Sequence, residues 1–104
     1  QAKLQELLGR YVLIEGPMSK PISTLAWCTG GGQGFIEQAV ELGVDAFITG
    51  EVSEQTVHTA REMGITFFAA GHHATERYGV KSLGEHIKQQ FDVSVEFIDI
   101  DNPA

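Results

Sequence analysis

Residues 39–51 read AVELGVDAFITGE, and residues 60–72, twenty-one positions later, read AREMGITFFAAGH. The two stretches share an alanine, a glutamate, a glycine, a phenylalanine and the final glycine. In each of them, the end of a helix leads through a glycine into a short strand. The period is short for a solenoid repeat and has no leucine-rich signature. The repeat therefore predicts successive strand and helix units of one sheet.

Four strands are predicted from β-branched, aromatic or alternating runs. These runs are ISTLAWCT, DAFIT, ITFFAA and VSVEFID, at residues 22–29, 45–49, 65–70 and 93–99. The first is expected to be buried. The aromatic side chains of these strands are assigned to the core rather than to a stacking platform, and they include Trp27, Phe47, Phe67 and Phe68.

Three helices are predicted between these strands. Residues 35–42 are apolar at helical spacing, and Gly43 ends that helix. Ser53 is placed as the N-cap of the second helix, which Gly64 ends. The third helix follows His72. Strands that are separated by single helices run parallel, because a right-handed crossover returns the chain to the same edge.

The predicted fold class is therefore α/β, with a three-layer, largely parallel sheet and helices on its faces. In such a sheet the turns at residues 29–31, 49–51 and 70–72 emerge at the carboxyl ends of their strands. This is the edge where open α/β sheets bind ligands.

Length and composition restrict the domain organisation and the partners. The 104 residues, of which 42% are hydrophobic, suffice for one compact domain. The single cysteine and the lack of a long apolar run predict a cytoplasmic protein without a membrane partner. The net charge of −7 and the absence of a basic cluster argue against nucleic acid.

The opening QAKLQELLGR is interpreted as the last turns of a helix whose beginning is not in the chain. Residues 1–20 are accordingly predicted to be the remnant of a preceding helix and strand with a linker. Residues 21–104 are predicted to be the α/β segment that carries the metal site. The chain is expected to be the C-terminal stretch of a longer protein.

Histidine and glutamate residues at the ligand edge predict metal binding. His72 and Glu76 are four residues apart at a helix start, so both side chains can converge on one ion. His73 also shares a face with Glu76, and spacing does not choose between the two histidines. His58 and Glu62 have the same separation, but they lie in the later half of their helix, away from the ligand edge.

Glu51 occupies the position in its repeat that His72 occupies in the next one. A carboxylate and an imidazole are therefore expected to face each other across neighbouring turns. The chemistry predicted for Glu51 is that of a catalytic general base. The alternative is a first-turn acid that the helix dipole stabilises.

The segment TGGGQG at residues 29–34 allows two interpretations. Its amides could cradle a phosphate at a helix start, but the segment fits neither the P-loop pattern nor GxGxxG. A tight turn that passes close to a neighbour is favoured. Cys28 could act as a nucleophile beside this turn, yet a buried strand cysteine is the more ordinary role.

The motifs AWCTGGGQGFIEQA, GVDAFITGEVSEQTVHTARE and AAGHHATER resemble the Ngg-interacting-factor-like family, homologues of GTP cyclohydrolase I type 2. The likeness covers nearly all of residues 22–104. It implies two interleaved α/β parts, a ring-shaped homohexamer and a site for two divalent metal ions, which could be zinc, iron, manganese or magnesium. Ligands at His72 and Glu76 are implied by the GHxATE motif. The remaining ligands, a histidine pair and an aspartate, are implied to lie outside this chain.

Two functions follow as hypotheses from these residues and this resemblance. The first is a metal-dependent hydrolase of GTP cyclohydrolase type, acting on a small-molecule substrate. The second is a non-catalytic, ring-forming metal-binding or adaptor protein. A nucleotide-binding module that uses the glycine turn without metal is a third, weaker alternative.

Overall fold

The computed structural model describes residues 1–104 and contains one four-stranded sheet. Its strands are β1 (Leu13–Glu15), β2 (Leu25–Trp27), β3 (Ala46–Thr49) and β4 (Thr66–Ala69). The order across the sheet is β1-β4-β3-β2. Strands β2, β3 and β4 are parallel, and β1 pairs antiparallel with β4.

The chain has four α-helices. They are α1 (Ala2–Leu8), α2 (Ile36–Glu41), α3 (Glu54–Met63) and α4 (His72–Gln90), and a 3-10 turn, Gln33–Phe35, precedes α2. No helix combines the length and the apolarity that crossing a bilayer requires. The predicted α/β class with a largely parallel sheet is confirmed, with the refinement that β1 makes the sheet mixed.

The core has two halves because side chains alternate across the pleated strands. On one face, Phe47, Phe67 and Ala69 pack with residues of α2 and α3. On the other face, Ala46 and Phe68 pack together, and Leu4 and Leu8 of α1 cover them. The sheet therefore has helices on both faces, which gives three layers. The predicted core positions of Phe47, Phe67 and Phe68 are confirmed.

The predicted helix ends are also found. The Ser53 side chain accepts a hydrogen bond from the Thr56 amide, and Thr56 Oγ1 accepts one from the Ser53 amide, which together form a capping box. Gly43 and Gly64 take the left-handed conformation that ends a helix, with φ of 69° and 68°.

The prediction that residues 22–29 form a buried strand is wrong in length and in burial. Only Leu25–Trp27 pair with β3, and β2 is one of the two outer strands of the sheet. An edge strand has one neighbour, so its side chains receive less cover. Trp27 is 72% exposed and does not belong to the core of this chain.

The predicted last strand at residues 93–99 is not formed. This segment instead runs back along α4: Val95 lies beside Gly84, Lys81 lies over the Phe97 ring, and Arg77 binds Asp99. The 19-residue α4 carries the chain away from the sheet, so the segment that follows lies against the helix and not beside an outer strand. Its alternation of apolar and polar residues accordingly does not produce a strand.

Asp45 ties the segment before β2 to the start of β3. Its Oδ2 accepts hydrogen bonds from the amides of Ser23 and Thr24 and from the Thr24 hydroxyl, each at 3.0 Å. Lys20 Nζ lies 3.2 Å from Oδ1. The hydrogen bonds from the Ser23 and Thr24 backbone amides are the main cause that holds the pKa of Asp45 well below its ordinary value of 3.8.

Replacing Asp45 with alanine is expected to lower the free energy of unfolding at pH 7. Because the folded-state pKa is lowered, the charge of Asp45 stabilises the fold fully above pH 3.8 and progressively less below it. The difference between wild type and variant should therefore narrow as the pH falls below 3.8. Denaturant unfolding at several pH values measures this, with the exposed Asp92→Ala as the matched control. A difference that widens towards acid would contradict the role of the charge.

Candidate functional site

The turns after the three parallel strands lie side by side, as predicted. The Gly50 amide donates to the Gly30 carbonyl at 2.9 Å, and the Gly71 amide donates to the Gly50 carbonyl at 2.8 Å. The parallel pairing therefore continues past the strand ends. It places Glu51 and His72 at one rim of the sheet.

His72 lies between two carboxylates. Its Nδ1 is 2.6 Å from Glu51 Oε1, and its Nε2 is 3.2 Å from Glu76 Oε2. The side chains of His72, Glu51 and Glu76 are 41%, 45% and 53% exposed, so the site is open to solvent. The predicted proximity of His72 to Glu76 and to Glu51 is thus found. Whether these residues bind metal stays a prediction.

The contact between Glu51 and His72 shifts the pKa of both groups. The hydrogen bond to Glu51 raises the pKa of His72, and the charge of Glu76 also contributes to this rise. In return, the hydrogen bond from His72 lowers the pKa of Glu51, and Gln33 contributes a second bond. Glu51 is therefore held as a carboxylate, which can only accept hydrogen bonds.

The second oxygen of Glu51 is held by Gln33. Gln33 Nε2 donates to Glu51 Oε2 at 3.2 Å. A Cβ added to Gly31 would lie 3.4 Å from Glu51 Oε1, so the glycine turn packs closely against this carboxylate. Both oxygens of Glu51 are thus engaged by side chains of the site.

Gly30 forms the floor under His72 and Glu76. Its φ is +66°, a conformation that L side chains rarely adopt, and an added Cβ would collide with Glu76 Oε1 and lie 3.1 Å from His72 Nε2. A glycine at this position therefore leaves open the space that both potential ligands face. The favoured interpretation of the glycine segment as a close-approach turn agrees with this geometry.

Two threonines fix the glycine turn from below. Thr75 Oγ1 accepts from the Gly30 amide, and Thr49 Oγ1 accepts from the Gly32 amide, both at 3.0 Å. Thr49 Oγ1 also donates to the Gly30 carbonyl at 3.2 Å. The Gly30 and Gly32 amides are thus already bonded, which weakens the phosphate-cradle alternative. Beside the turn, the Cys28 thiol contacts the Thr29 carbonyl oxygen at 3.6 Å.

His73 points to a different surface from His72. Its Nε2 lies 3.5 Å from Asp99 Oδ1, and Asp99 Oδ2 also accepts a hydrogen bond from Arg77. His72 is therefore the histidine that lies beside Glu76, and its role as the metal ligand stays a prediction. Within α3, His58 lies 3.8 Å from Glu54, on an exposed face of that helix.

The donor set of His72 and Glu76 fits a shared divalent ion. Nitrogen and oxygen ligands at about 2.0–2.2 Å from one ion lie roughly 2.9–3.4 Å from each other, depending on the angle. The 3.2 Å between Nε2 and Oε2 falls in this interval. The chain nevertheless holds no group of three or more histidine, cysteine, aspartate or glutamate side chains that could bind a metal alone. The fit is that of a partial site.

Sequence reasoning did not identify Gln33, Thr49 and Thr75 as parts of the site. Each acts on a neighbour that was identified: Gln33 on Glu51, and the threonines on the glycine turn. The available signal was position, because Thr49 and Thr75 flank the strand ends that carry Glu51 and His72. Polar residues at those places are candidates for bonding the backbone of the next turn.

Comparison with known proteins places the chain among proteins of this architecture. A relative in Yersinia pestis, named a homologue of GTP cyclohydrolase 1 type 2, is 62% identical over 103 residues. These are 98% of this chain and 42% of the relative. A relative of the same name in Escherichia coli strain K12 is 63% identical over 102 residues, 97% of this chain and 41% of its own length. The chain thus spans about two fifths of these relatives.

Solved structures agree with these sequence relatives. The structure of a protein named ybgI, described as of unknown function, has a TM-score of 0.94 and 55% identity, over 99% of this chain and 42% of that one. The protein TTHA1606 from Thermus thermophilus has a TM-score of 0.88 and 28% identity, over 99% of this chain and 41% of its own. The profile of the Duf34/NIF3 (NGG1p interacting factor 3) family matches residues 1–103. The chain belongs to the Duf34/NIF3 family.

Proposed function

We propose that this chain supplies His72 and Glu76 to a site for two divalent metal ions in a metal-dependent hydrolase. The observation that carries the proposal is the 3.2 Å approach of His72 Nε2 to Glu76 Oε2 above Gly30. Zinc, iron, manganese and magnesium are the candidate ions, and ligands outside this chain would complete their coordination. A ring-shaped hexamer in the cytoplasm belongs to the same proposal.

The residues of the chain have separate tasks in this proposal. His72 Nε2 and Glu76 bind, the glycine at position 30 keeps their common space open, and Thr75 holds the glycine turn in place. When bound, divalent ions supply Lewis acidity: they polarise a substrate oxygen and make water acidic enough to react near neutral pH. The open rim allows a small-molecule substrate to reach them.

The names of the relatives suggest a substrate class. Homologues of GTP cyclohydrolase 1 type 2 are named after an enzyme whose substrate is a purine nucleotide. Opening of a purine ring is therefore the proposed reaction type. The proposed substrate is a nucleotide with a hydrolysable ring.

Zinc or manganese titrated into this chain is expected to bind weakly, because two ligands leave most of the coordination shell to water. His72→Ala should abolish this binding. The matched control is His58→Ala, which removes an exposed histidine that also has glutamates one turn away and should leave binding unchanged. Isothermal titration or NMR titration measures both. A tight stoichiometric site in the wild type, or equal binding in His72→Ala, would contradict this allocation of ligands.

A turnover assay separates the hydrolase from the non-catalytic alternative. It uses metal-loaded protein of the relatives' full length, a set of nucleotides, and the His72→Ala variant. Turnover that depends on His72 supports the hydrolase. Equal turnover in the variant removes the enzyme hypothesis at this site, and metal binding without any turnover favours the ring-forming metal-binding or adaptor protein.

A further inference from the structure

We propose that Glu51 is a positioning residue: anchored by Gln33, it keeps the His72 proton on Nδ1 and so leaves the Nε2 lone pair for a metal ion. This inference rests on the proposed function, because it assigns a purpose to the nitrogen that faces Glu76. It differs from the predicted general-base role, in which Glu51 itself would take a proton from the reacting groups.

The short contact between His72 and Glu51 fixes the tautomer. A carboxylate offers no proton, so a ring nitrogen that bonds to one must carry the proton. A neutral ring has a single N–H, and the 2.6 Å contact of Nδ1 with Glu51 Oε1 is shorter than the 3.2 Å contact of Nε2 with Glu76 Oε2, so the proton is assigned to Nδ1. A neutral ring with a proton on Nδ1 has its lone pair on Nε2, the nitrogen beside Glu76. Histidine ligands of metals commonly donate their other ring N–H to a carboxylate, which orients the ring.

Gln33 fixes the carboxylate in turn. Its Nε2 donates to Glu51 Oε2, while its own Oε1 is buried without a hydrogen-bond partner. A buried unpaired oxygen is unfavourable, and turning the amide over would present that oxygen to the carboxylate. The Gln33 amide is therefore oriented so that its nitrogen bonds to Glu51, although this leaves Gln33 Oε1 without a hydrogen-bond partner.

These contacts favour positioning over base catalysis. Oε1 of Glu51 is engaged by His72, and Oε2 is engaged by Gln33. To accept a substrate proton, Glu51 would have to give up one of these bonds. In the positioning role both bonds persist throughout, and their effect reaches the ion only through the ring of His72.

The first test reads the His72 tautomer by ¹⁵N NMR in the metal-free chain, at a pH where the ring is neutral. The wild type should show the proton on Nδ1. Glu51→Met, which has no acceptor oxygen, should move most of the population to the Nε2–H form. Glu51→Gln retains an acceptor oxygen and should restore Nδ1–H in part. Gln33→Leu should give a smaller shift than Glu51→Met, and the exposed Glu62→Met should give none. An Nε2–H wild type, or a Glu51→Met variant that keeps Nδ1–H, would overturn the inference.

The second test follows the ¹⁵N shift of His72 Nε2 during zinc titration. Glu51→Met should weaken the apparent zinc affinity by about 10–100-fold, as expected for removal of such an orienting partner. Equal affinity in wild type and Glu51→Met would overturn the positioning role and leave the proposed metal site intact. If zinc leaves Nε2 unchanged in a wild type that carries Nδ1–H, the metal site itself fails. The two failures are thereby distinguishable.

Discussion

Replacing Phe67 with alanine is expected to lower the free energy of unfolding by about 3–5 kcal/mol. Phe67 is fully buried in the interior strand β4, and its ring lies 6.1 Å from that of Phe47. The truncation would leave a cavity between the sheet and the helices on that face. Only 19 of the 104 residues are buried, so a loss of this size should remove most of the stability of the isolated chain.

Denaturant unfolding followed by circular dichroism measures this loss. The matched control is Phe91→Ala, which removes the same side chain from a position that is 63% exposed and should change stability by less than about 0.5 kcal/mol. Similar losses in both variants would show that Phe67 is not a central core residue. A Phe67→Leu variant should be intermediate, because it keeps part of the buried volume.

Replacing Gly30 with alanine is expected to weaken metal binding by at least about tenfold, because the new Cβ would occupy the space that His72 Nε2 and Glu76 Oε1 face. It should also destabilise the fold, by roughly 1–2 kcal/mol, since alanine is strained at a φ of +66°. Zinc titration followed by NMR measures the first effect, and denaturant unfolding measures the second.

Gly34→Ala is the control for the Gly30 variant. It lies in the same glycine segment, its added Cβ would meet no atom within 4 Å, and its φ is not positive. Metal affinity should therefore stay at the wild-type value. If Gly30→Ala bound zinc as well as Gly34→Ala does, the ion would have to lie elsewhere than between His72 and Glu76.

The parallel part of the sheet could be predicted because its signals are local. The repeat of a helix end, a glycine and an apolar strand marked β3 and β4, and Gly43 and Gly64 ended the helices before them. Parallel order then followed from the single helices between the strands. The meeting of Glu51 and His72 is a direct consequence of that order.

The predictions that were wrong concern features that depend on which elements lie next to a segment in the fold. Residues 93–99 alternate as a strand does, yet a strand must also lie beside another strand, and this segment returns along α4 instead. Trp27 has the composition of a core residue, but its strand lies at the edge of the sheet in this chain. Neither fact can be read from a window of sequence, because each depends on where distant elements lie.

The choice between His72 and His73 shows the same limit within the site. Adjacent helical residues point in directions about 100° apart. The angle at which α4 leaves β4 therefore decides which imidazole faces Glu51. The resemblance to a family supplied the choice of His72, and spacing did not. The role of Gln33 could not be predicted from the sequence either, because it depends on Glu51, which is 18 residues away in the chain and reaches Gln33 from the neighbouring turn.

The way α4 is attached to the sheet has a mechanical consequence for the site. Its one buried residue, Ala74, sits in the first turn, directly after an interior strand that has a paired neighbour on either side. The helix is thus fixed to the sheet at the end that carries His72 and Glu76, and the rest of its length does not pack on the sheet. Bending of the distal turns would consequently displace the His72 and Glu76 side chains less than any side chain further along the helix.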